Sequence, residues 1–171
     1  GYTSPRIALC CLETLLWNCG HVLKLNKIEA AAYRQVMSHF AGAVHVVTTD
    51  GPAGRRGVTV TAACSVSDNP PTLLVCLNRG HPANAMFDQN GVFALNTLAE
   101  EHQPLSVAFS GKGHLPQEDR FGLSEWETLE TGAPVLANAA AVFDCRIVEA
   151  QDMATHRVLY GEVVGLRSRS V

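Results

Sequence analysis

The fold is decided by the stretch from Arg55 to Asn78, RRGVTVTAACSVSDNPPTLLVCLN. Its first half, residues 57–67, alternates small and β-branched side chains, which predicts a pleated strand. Asp68-Asn69-Pro70-Pro71 predicts a turn, because Asx residues tolerate unusual dihedral angles and proline cannot continue a ladder. Residues 72–77 are almost continuously apolar, which predicts a strand buried on both faces. We therefore expect a hairpin of two strands.

The first strand of this stretch carries small and hydroxyl-bearing side chains, which let a ligand approach the backbone. Thr59 and Thr61 are two positions apart, so both point to one face of the strand. Asn78-Arg79-Gly80 follows the second strand, and the planar donor fork of an arginine suits a phosphate. The residues alone leave two ordinary alternatives open, namely an exposed β-branched pair and a solvated loop charge.

The composition sets the class of the protein. Its 171 residues are 47% hydrophobic and 17% charged, which is typical of one globular domain with a core of its own. The apolar surplus favours an oligomer interface. The formal net charge is −3 and the basic residues are scattered, so we expect no nucleic-acid partner.

The six cysteines form no C-x-x-C pair, and three of them lie in apolar strand-like runs. Free cysteine in such runs behaves as a small hydrophobe, which predicts a cytoplasmic protein in a reducing compartment. No apolar run reaches the roughly 18 residues of a membrane span, so no membrane partner is expected. The lack of H-E-x-x-H, C-x-x-C and G-x-S-x-G motifs disfavours a metal site and a hydrolase.

The chain divides into a leader of uncertain origin, residues 1–25, and one domain, residues 26–171. The leader resembles a signal peptide in having an arginine before an apolar run, but Glu13 interrupts that run. It is either a non-native or divergent leader, or a helix that packs on the body or on a partner.

The domain begins with a predicted helix. Asn26 is the expected N-cap, and Glu29 three positions on completes a capping-box pattern. Apolar residues recur at helical spacing over residues 28–40, and Gly42 ends the helix. The Gly51, Gly54 and Gly57 spacing that follows predicts a tight hairpin turn.

The remaining elements alternate in short lengths. Helices are expected over residues 81–89, 99–109 and 118–121, and strands over residues 43–49, 93–96, 135–150 and 155–164. Many strands with few helices predict a mainly β protein, an antiparallel barrel with peripheral helices.

Two motifs carry a resemblance to a known family. The order GVTVTAACSVSDNPPTLLVCLNR in residues 57–79, followed by FALNTLAEEHQPLS in residues 93–106, resembles the short-chain flavin reductases. That family includes reductase components of two-component flavin monooxygenases, such as 4-hydroxyphenylacetate monooxygenase. It also includes the flavin reductase of pyrimidine degradation and the corrin reductases of cobalamin synthesis. The likeness covers residues 33–164.

The resemblance implies an FMN-binding split β-barrel of Greek-key type that forms a homodimer, with flavin near the subunit boundary. The sequence has no obvious acid, base or nucleophile, which is compatible with a flavin that carries the hydride chemistry. NADH or NADPH would be the co-substrate. His156 is the expected catalytic residue, which would orient nicotinamide, with Tyr160 on the same face of the strand.

The resemblance also implies which residues contact the cofactor. The residues from Val58 to Thr61 would border the flavin, partly through backbone groups, and Ser65 would lie toward its phosphate or ribityl side. Phe109, with Lys112 or Arg120, would close the ring and phosphate ends. The full expected set is Val58, Thr59, Val60, Thr61, Ser65, Asn78, Arg79, Gly80, His81, Asn84, Asn96, Thr97, Leu98, Ser106, Phe109, Arg120 and Tyr160.

The sequence departs from the family pattern at three places. Val60 replaces a smaller residue, which loosens the expected contact. Residues 80–84, GHPAN, stand where relatives have serines, so His81 or Asn84 would replace hydroxyl contacts. The chain stops at Val171, where relatives usually carry one more strand.

The expected function is NAD(P)H-dependent reduction of FMN. The acceptor of the electrons would be a monooxygenase partner or a corrinoid, cob(II)yrinic acid diamide. Three alternatives stay open: a non-catalytic flavin-storage dimer, a purely structural dimeric barrel, and an activity like that of pyridoxamine phosphate oxidase on a related barrel.

Overall fold

The computed structural model describes residues 27–169, which fall into two compact units divided after Ala41. The first unit contains helix α1 (Ala30–Met37), which has no buried residue. Its N-cap is Glu29, which has an extended backbone and whose side chain makes no capping hydrogen bond. The expected capping box is therefore wrong, because Glu29 itself precedes the first helical residue. Asn26, the expected cap, lies outside the described residues.

The second unit is built on one large antiparallel sheet. Seven strands form it in the order β2-β1-β5-β8-β9-β4-β3, and a separate two-stranded sheet pairs β6 with β7. The strands are β1 (His45–Thr49), β2 (Arg56–Val60), β3 (Ala63–Asp68), β4 (Pro71–Asn78), β5 (Val92–Thr97), β6 (Trp126–Glu127), β7 (Val135–Leu136), β8 (Ala141–Met153) and β9 (His156–Ser168).

The strand order shows that the sheet closes on itself. Strands β2 and β3 lie at opposite ends of the order, yet only Thr61 and Ala62 separate them in the chain. Because an extended chain advances about 3.3 Å per residue, these two edges must meet at that corner. The Cys76 amide donates to the Ala62 carbonyl there at 3.0 Å. A mainly β barrel is therefore confirmed.

The corner also corrects one expectation. Residues 57–67 form two strands rather than one, because the chain leaves β1 at Val60 and begins to pair with β4 at Ala63. The Pro-Pro hairpin itself is confirmed, with Asp68 opposite Pro71.

Strand β4 is buried on one face rather than two. Leu73, Val75 and Leu77 are buried, and the residues between them are half-buried. The first set faces the barrel interior, where it packs with Phe87, Phe93, Leu95, Cys145 and Leu159. Burial raises the pKa of the Cys145 thiol to about 12.

A glycine makes room for the largest interior ring. A Cβ on Gly161 would lie 2.5 Å from Cζ of Phe93, so only glycine fits at this point of β9. A second apolar cluster covers the outside of the sheet, where Val46, Ala94 and Val142 of the strands meet Phe109 and Phe121. Residues along β1 and β5 thus belong alternately to the interior cluster and to the outer cluster.

Short helices lie between the strands, close to where they were expected. They are two 3-10 turns (Pro82–Asn84 and Glu100–His102) and the helices α2 (Ala85–Asn90), α3 (Gln103–Phe109) and α4 (Gln117–Phe121). The expected strand over residues 135–150 is two strands, since the chain turns where the Ala139 amide donates to the Leu136 carbonyl. In the described part of the chain, no helix is long and apolar enough to cross a membrane.

Candidate functional site

Strand β2 is joined to α3 and α4 through Gly57. A Cβ at this position would lie 2.4 Å from Cε1 of Phe109, so the absence of a side chain lets that ring lie against the strand. The Gly57 amide donates to Oε1 of Gln117 at 3.0 Å, and its carbonyl accepts from Nε2 at 3.2 Å. The Gln117 side chain thus pairs with β2 as a strand would.

The far edge of β2 leaves backbone groups free of strand pairing. Among the described residues, β1 is the only strand hydrogen-bonded to β2. Since backbone groups alternate along a strand, the amide and carbonyl of Thr59 point the same way as those of Gly57, away from β1. The Thr59 hydroxyl is not free, because it donates to the Ser106 carbonyl at 2.7 Å.

A cleft opens beside this edge and is called here the arginine cleft. It has a volume of about 260 Å³. Its lining residues are Arg56, Gly57, Val58, His81, Pro82, Ala83, Phe109, Ser110, Gly111 and Arg120. It therefore gathers four expected cofactor contacts, Val58, His81, Phe109 and Arg120.

The arginine cleft carries two positive charges that no carboxylate neutralises. Within residues 27–169, neither Arg56 nor Arg120 takes part in an ion pair. Nε of Arg56 donates to Oδ1 of Asn84 at 2.6 Å, and Nε of Arg120 donates to the Leu115 carbonyl at 2.7 Å. Burial, and then the charge of Arg120, lower the pKa of the Arg56 guanidinium. Such a cleft favours an anion.

A second cleft lies on the other side of His81 and Pro82, which line both, and is called here the ion-pair cleft. Its volume is about 400 Å³. Asp152 pairs with both of its arginines, at 3.2 Å from Arg79 and 2.7 Å from Arg157. The remaining lining residues are Leu77, Asn78, Asn84, Ala85, Asp88 and Gln89.

Arg157 is paired twice. Its Nε also donates to the Asp88 carboxylate at 2.9 Å, and the hydrogen bonds to Asp152 and Asp88, in that order, raise its pKa. Arg79 bonds the Ala154 carbonyl at 3.0 Å as well. The guanidinium of Arg79, expected to meet a phosphate, is thus already engaged by a carboxylate and a carbonyl.

The hairpin of β8 and β9 brings His156 beside this second cleft. His156 is exposed, lies opposite Asn78 in the ladder with β4, and shares a hydrogen bond of 2.9 Å with the Thr155 hydroxyl. Tyr160 lies four residues on in an unbroken ladder, so the two side chains share one face, as expected. Gly80 is exposed, and its amide donates to the Asn78 side chain.

The other expected contacts lie apart from these two clefts. Thr61 and Ser65 are exposed, the latter in a cleft of about 350 Å³ with Cys64 and Leu73. Leu98 and Ser106 line another of about 350 Å³ with His102. Val60 is half-buried against the barrel interior.

Three expected contacts, Asn96, Thr97 and Leu98, already make hydrogen bonds within the sheet or beside it. The Leu98 amide donates to the Val44 carbonyl at 2.9 Å because the chain continues beside β1, so this amide is not free for a ligand. Asn96 is fully buried, with its amide group bonded to the Val46 carbonyl at 3.0 Å. The Thr97 hydroxyl forms a hydrogen bond of 3.1 Å with Nδ1 of the His45 ring. The side chains of Asn96 and Thr97 thus form hydrogen bonds to the neighbouring strand β1.

Two residues of the arginine cleft and its edge were missed by the sequence reasoning. Arg56 and Gln117 flank the expected motifs, and neither was singled out. For Arg56 the signal is its place directly before the motif that begins at Gly57. For Gln117 the sequence holds no signal, since its role depends on how α4 approaches β2.

Comparisons with known proteins agree with this geometry. The model of the flavin reductase like domain matches residues 37–170. FMN reductase (NADH) RutF 2 of Methylorubrum extorquens (strain PA1) is 52% identical over 139 residues, which cover 81% of this chain and 80% of that protein.

Solved structures of flavin reductases have the same fold. A protein of Haemophilus somnus 129pt described as a flavin reductase superimposes with a TM-score of 0.79 at 42% identity, covering 83% of this chain and 90% of the other. BorF, the flavin reductase component of a bacterial two-component tryptophan halogenase, gives 0.76 at 26% identity, covering 84% and 89%. The chain therefore belongs to the flavin reductase family.

Proposed function

We propose that this protein is an FMN reductase that oxidises NADH. The observation that carries the proposal is the arginine cleft, in which two unneutralised guanidinium groups lie at the end of a strand with an unpaired edge. The name of the Methylorubrum relative supports FMN and NADH as the substrates.

The residues of the cleft fit one end of FMN. The flavin ends in a phosphate monoester, which carries close to two negative charges at neutral pH, about the charge that Arg56 and Arg120 leave uncompensated. A cleft of about 260 Å³ is smaller than the roughly 300–1,000 Å³ typical of a whole ligand. It therefore suits the phosphate end, and the free edge at Thr59 suits the polar edge of the ring.

The isoalloxazine, when bound, supplies the hydride acceptor, so the chain's task is to bind and orient. Thr59 would offer its backbone amide and carbonyl, which point away from β1. Phe109, buried against Gly57, keeps the arginine cleft apolar on one side, which strengthens the attraction between the guanidinium groups and an anion. Thr61, Ser65, Leu98 and Ser106 remain proposed contacts along the ring and tail.

The nicotinamide side is assigned to His156 and Tyr160. Both lie on one face of β9, and His156 is exposed at the end of the strand. Replacing His156 with Ala should raise the KM for NADH while FMN affinity changes little. A loss of FMN affinity in a fluorescence titration would contradict this assignment.

We also propose a homodimer, with residues 26–171 as the reductase domain, in the cytoplasm. Exposed side chains lie at the corner of the barrel and directly after it, where a second copy would complete the flavin site; they are Thr61, Ala62, Cys64, Ser65 and Val66. A monooxygenase-type partner is the favoured acceptor, because the relative BorF is the reductase component of a two-component system. A corrinoid acceptor stays a prediction without a supporting contact.

One anaerobic experiment tests the proposal. FMN and NADH are added to the purified protein, and the flavin absorbance is followed. Rapid bleaching supports the reductase. FMN that binds but is not bleached would overturn the proposal in favour of flavin storage, and no binding would overturn the site as well. Repeating the assay with NADPH separates the two nicotinamide cofactors.

A further inference from the structure

We propose that Arg56, held in position by Asn84, makes this reductase prefer phosphorylated flavin over riboflavin. The inference rests on the proposed function, and it assigns the phosphate recognition to the first residue of β2, directly before the motif that begins at Gly57. Asn84 acts through Arg56 and is a positioning residue rather than a contact of the flavin.

Both polar atoms of the Asn84 side chain are engaged in hydrogen bonds within the protein. Its side chain is buried, with 7% of the residue exposed. Its Nδ2 donates to the Asn78 carbonyl at 2.8 Å, and its Oδ1 accepts from Nε of Arg56 at 2.6 Å. Because an amide fixed at both ends cannot rotate, it holds the Arg56 guanidinium in one orientation over the cleft.

The hydrogen bond to Asn84 engages only one edge of Arg56. A guanidinium has five N–H donors, and Asn84 accepts from Nε, so the four N–H groups of the two terminal nitrogens are left for a ligand. In the chain as described, no other side-chain hydrogen bond of Arg56 is formed. A phosphate accepts from such a pair of nitrogens in bidentate fashion, which an ammonium cannot offer.

The two uncompensated positive charges of the arginine cleft favour an anion that carries more than one negative charge. Burial, and then repulsion by Arg120, act against the charged form of Arg56. A monoester dianion relieves both charges at once, whereas riboflavin lacks any anionic group. Each phosphate of a dinucleotide carries only one charge.

The test compares the affinity of FMN with that of riboflavin. Arg56→Gln, Asn84→Ala and the neighbouring control Arg55→Gln are titrated by flavin fluorescence, and KM values for FMN, riboflavin and NADH are measured. Arg55 is a matched control because it pairs with Asp50 at 2.9 Å and does not line the arginine cleft.

For Arg56→Gln we expect FMN affinity to fall about 10- to 100-fold, the value of a bidentate charge-assisted contact, with riboflavin affinity unchanged. Asn84→Ala should shift the same ratio in the same direction, and Arg56→Lys should restore part of it. Circular dichroism of each variant confirms folding, so a general loss of structure is separated from a loss of preference.

Three results would overturn the inference. The first is an unchanged FMN-to-riboflavin ratio in Arg56→Gln while the wild type still reduces FMN, which leaves the proposed function standing. The second is a rise in the KM for NADH in Arg56→Gln with FMN affinity unchanged, which would show that the arginine cleft binds the dinucleotide. The third is an equal change of the FMN-to-riboflavin ratio in Arg55→Gln, which would show that the preference depends only on long-range electrostatic attraction. A wild type that ignores FMN would instead end the proposed function.

Discussion

The two clefts on either side of His81 hold the same kind of residue in opposite electrostatic states. The ion-pair cleft neutralises Arg79 and Arg157 with carboxylates of its own chain, whereas the arginine cleft leaves Arg56 and Arg120 uncompensated. Partnered arginines on the surface add to stability by a modest amount. Two neighbouring arginines without a counter-ion repel each other and cost stability, and a bound anion would relieve that repulsion.

The number of arginines in a cleft therefore does not identify an anion site. Arg79, the arginine expected to hold phosphate, is the one already paired, and Arg56 is the free one. The comparison separates two kinds of effect: variants of the ion-pair cleft should alter stability, and variants of the arginine cleft should alter flavin affinity.

The largest effect should come from Gly57→Ala, which breaks the floor of the arginine cleft. The added Cβ would lie 2.4 Å from Phe109, so the ring must move and the strand must shift. We expect a loss of about 1–3 kcal/mol in the free energy of unfolding, measured in urea, and weaker FMN binding. Gly42→Ala is the control, since a Cβ there has nothing within 4 Å. Equal stability of the two variants would contradict the close packing.

The next effect is that of Arg120→Gln, which removes half of the uncompensated charge. FMN affinity should fall about 10-fold or more, because one charge-assisted contact is lost. The free energy of unfolding without flavin should change by less than about 0.5 kcal/mol, since relief of repulsion offsets the lost bond to Leu115. A large drop in stability with unchanged FMN affinity would reverse the roles of the two clefts.

Arg157→Gln should show the opposite pattern. It removes two ion pairs whose partners are partly exposed, so we expect the free energy of unfolding to fall by about 1 kcal/mol. FMN affinity, measured by titration in parallel, should stay at the wild-type value. Loss of FMN affinity here would place the phosphate in the ion-pair cleft.

The smallest effect concerns the pH dependence of the ion-pair cleft. The hydrogen bond from Arg157, and then the charges of Arg79 and Arg157, lower the pKa of Asp152 below 3.8. A lowered pKa of an acid adds stability above pH 3.8, which is lost as the pH falls through the lower folded-state value. Asp152→Asn should therefore be less stable than the wild type at pH 7, and the difference should shrink as the pH falls below 3.8 toward the lowered pKa of the folded state. Thermal unfolding across this range measures it, and a difference independent of pH would contradict the ion pairs.

Much of the fold could be predicted from local sequence patterns. The Pro-Pro turn of β3 and β4 and the short helices depend on neighbouring residues, so the sequence displays them directly. The break at Thr61 and Ala62 could not be predicted, because small and β-branched residues alternate across it and only the pairing partner changes there.

The candidate site was predictable only in part, for a related reason. The motif strand and Arg120 are visible in the sequence. Whether an arginine is neutralised depends on which carboxylates approach it, and Asp152 reaches Arg79 only through the β8–β9 hairpin. Likewise, Asn84 was expected to touch the cofactor, but its burial and its two hydrogen bonds follow from packing that no local pattern shows.

The phosphorus NMR spectrum of FMN, recorded as a function of pH, reports directly whether Arg56 and Arg120 bind the phosphate. The second pKa of a phosphate monoester is about 6, and two facing guanidinium groups should hold the phosphate dianionic well below that value. With the wild-type protein in excess, we therefore expect the phosphorus signal of FMN to titrate at a lower pH than that of free FMN, and to return toward the free value in Arg56→Gln. A bound FMN whose phosphate titrates like that of free FMN would contradict binding of the phosphate by Arg56 and Arg120.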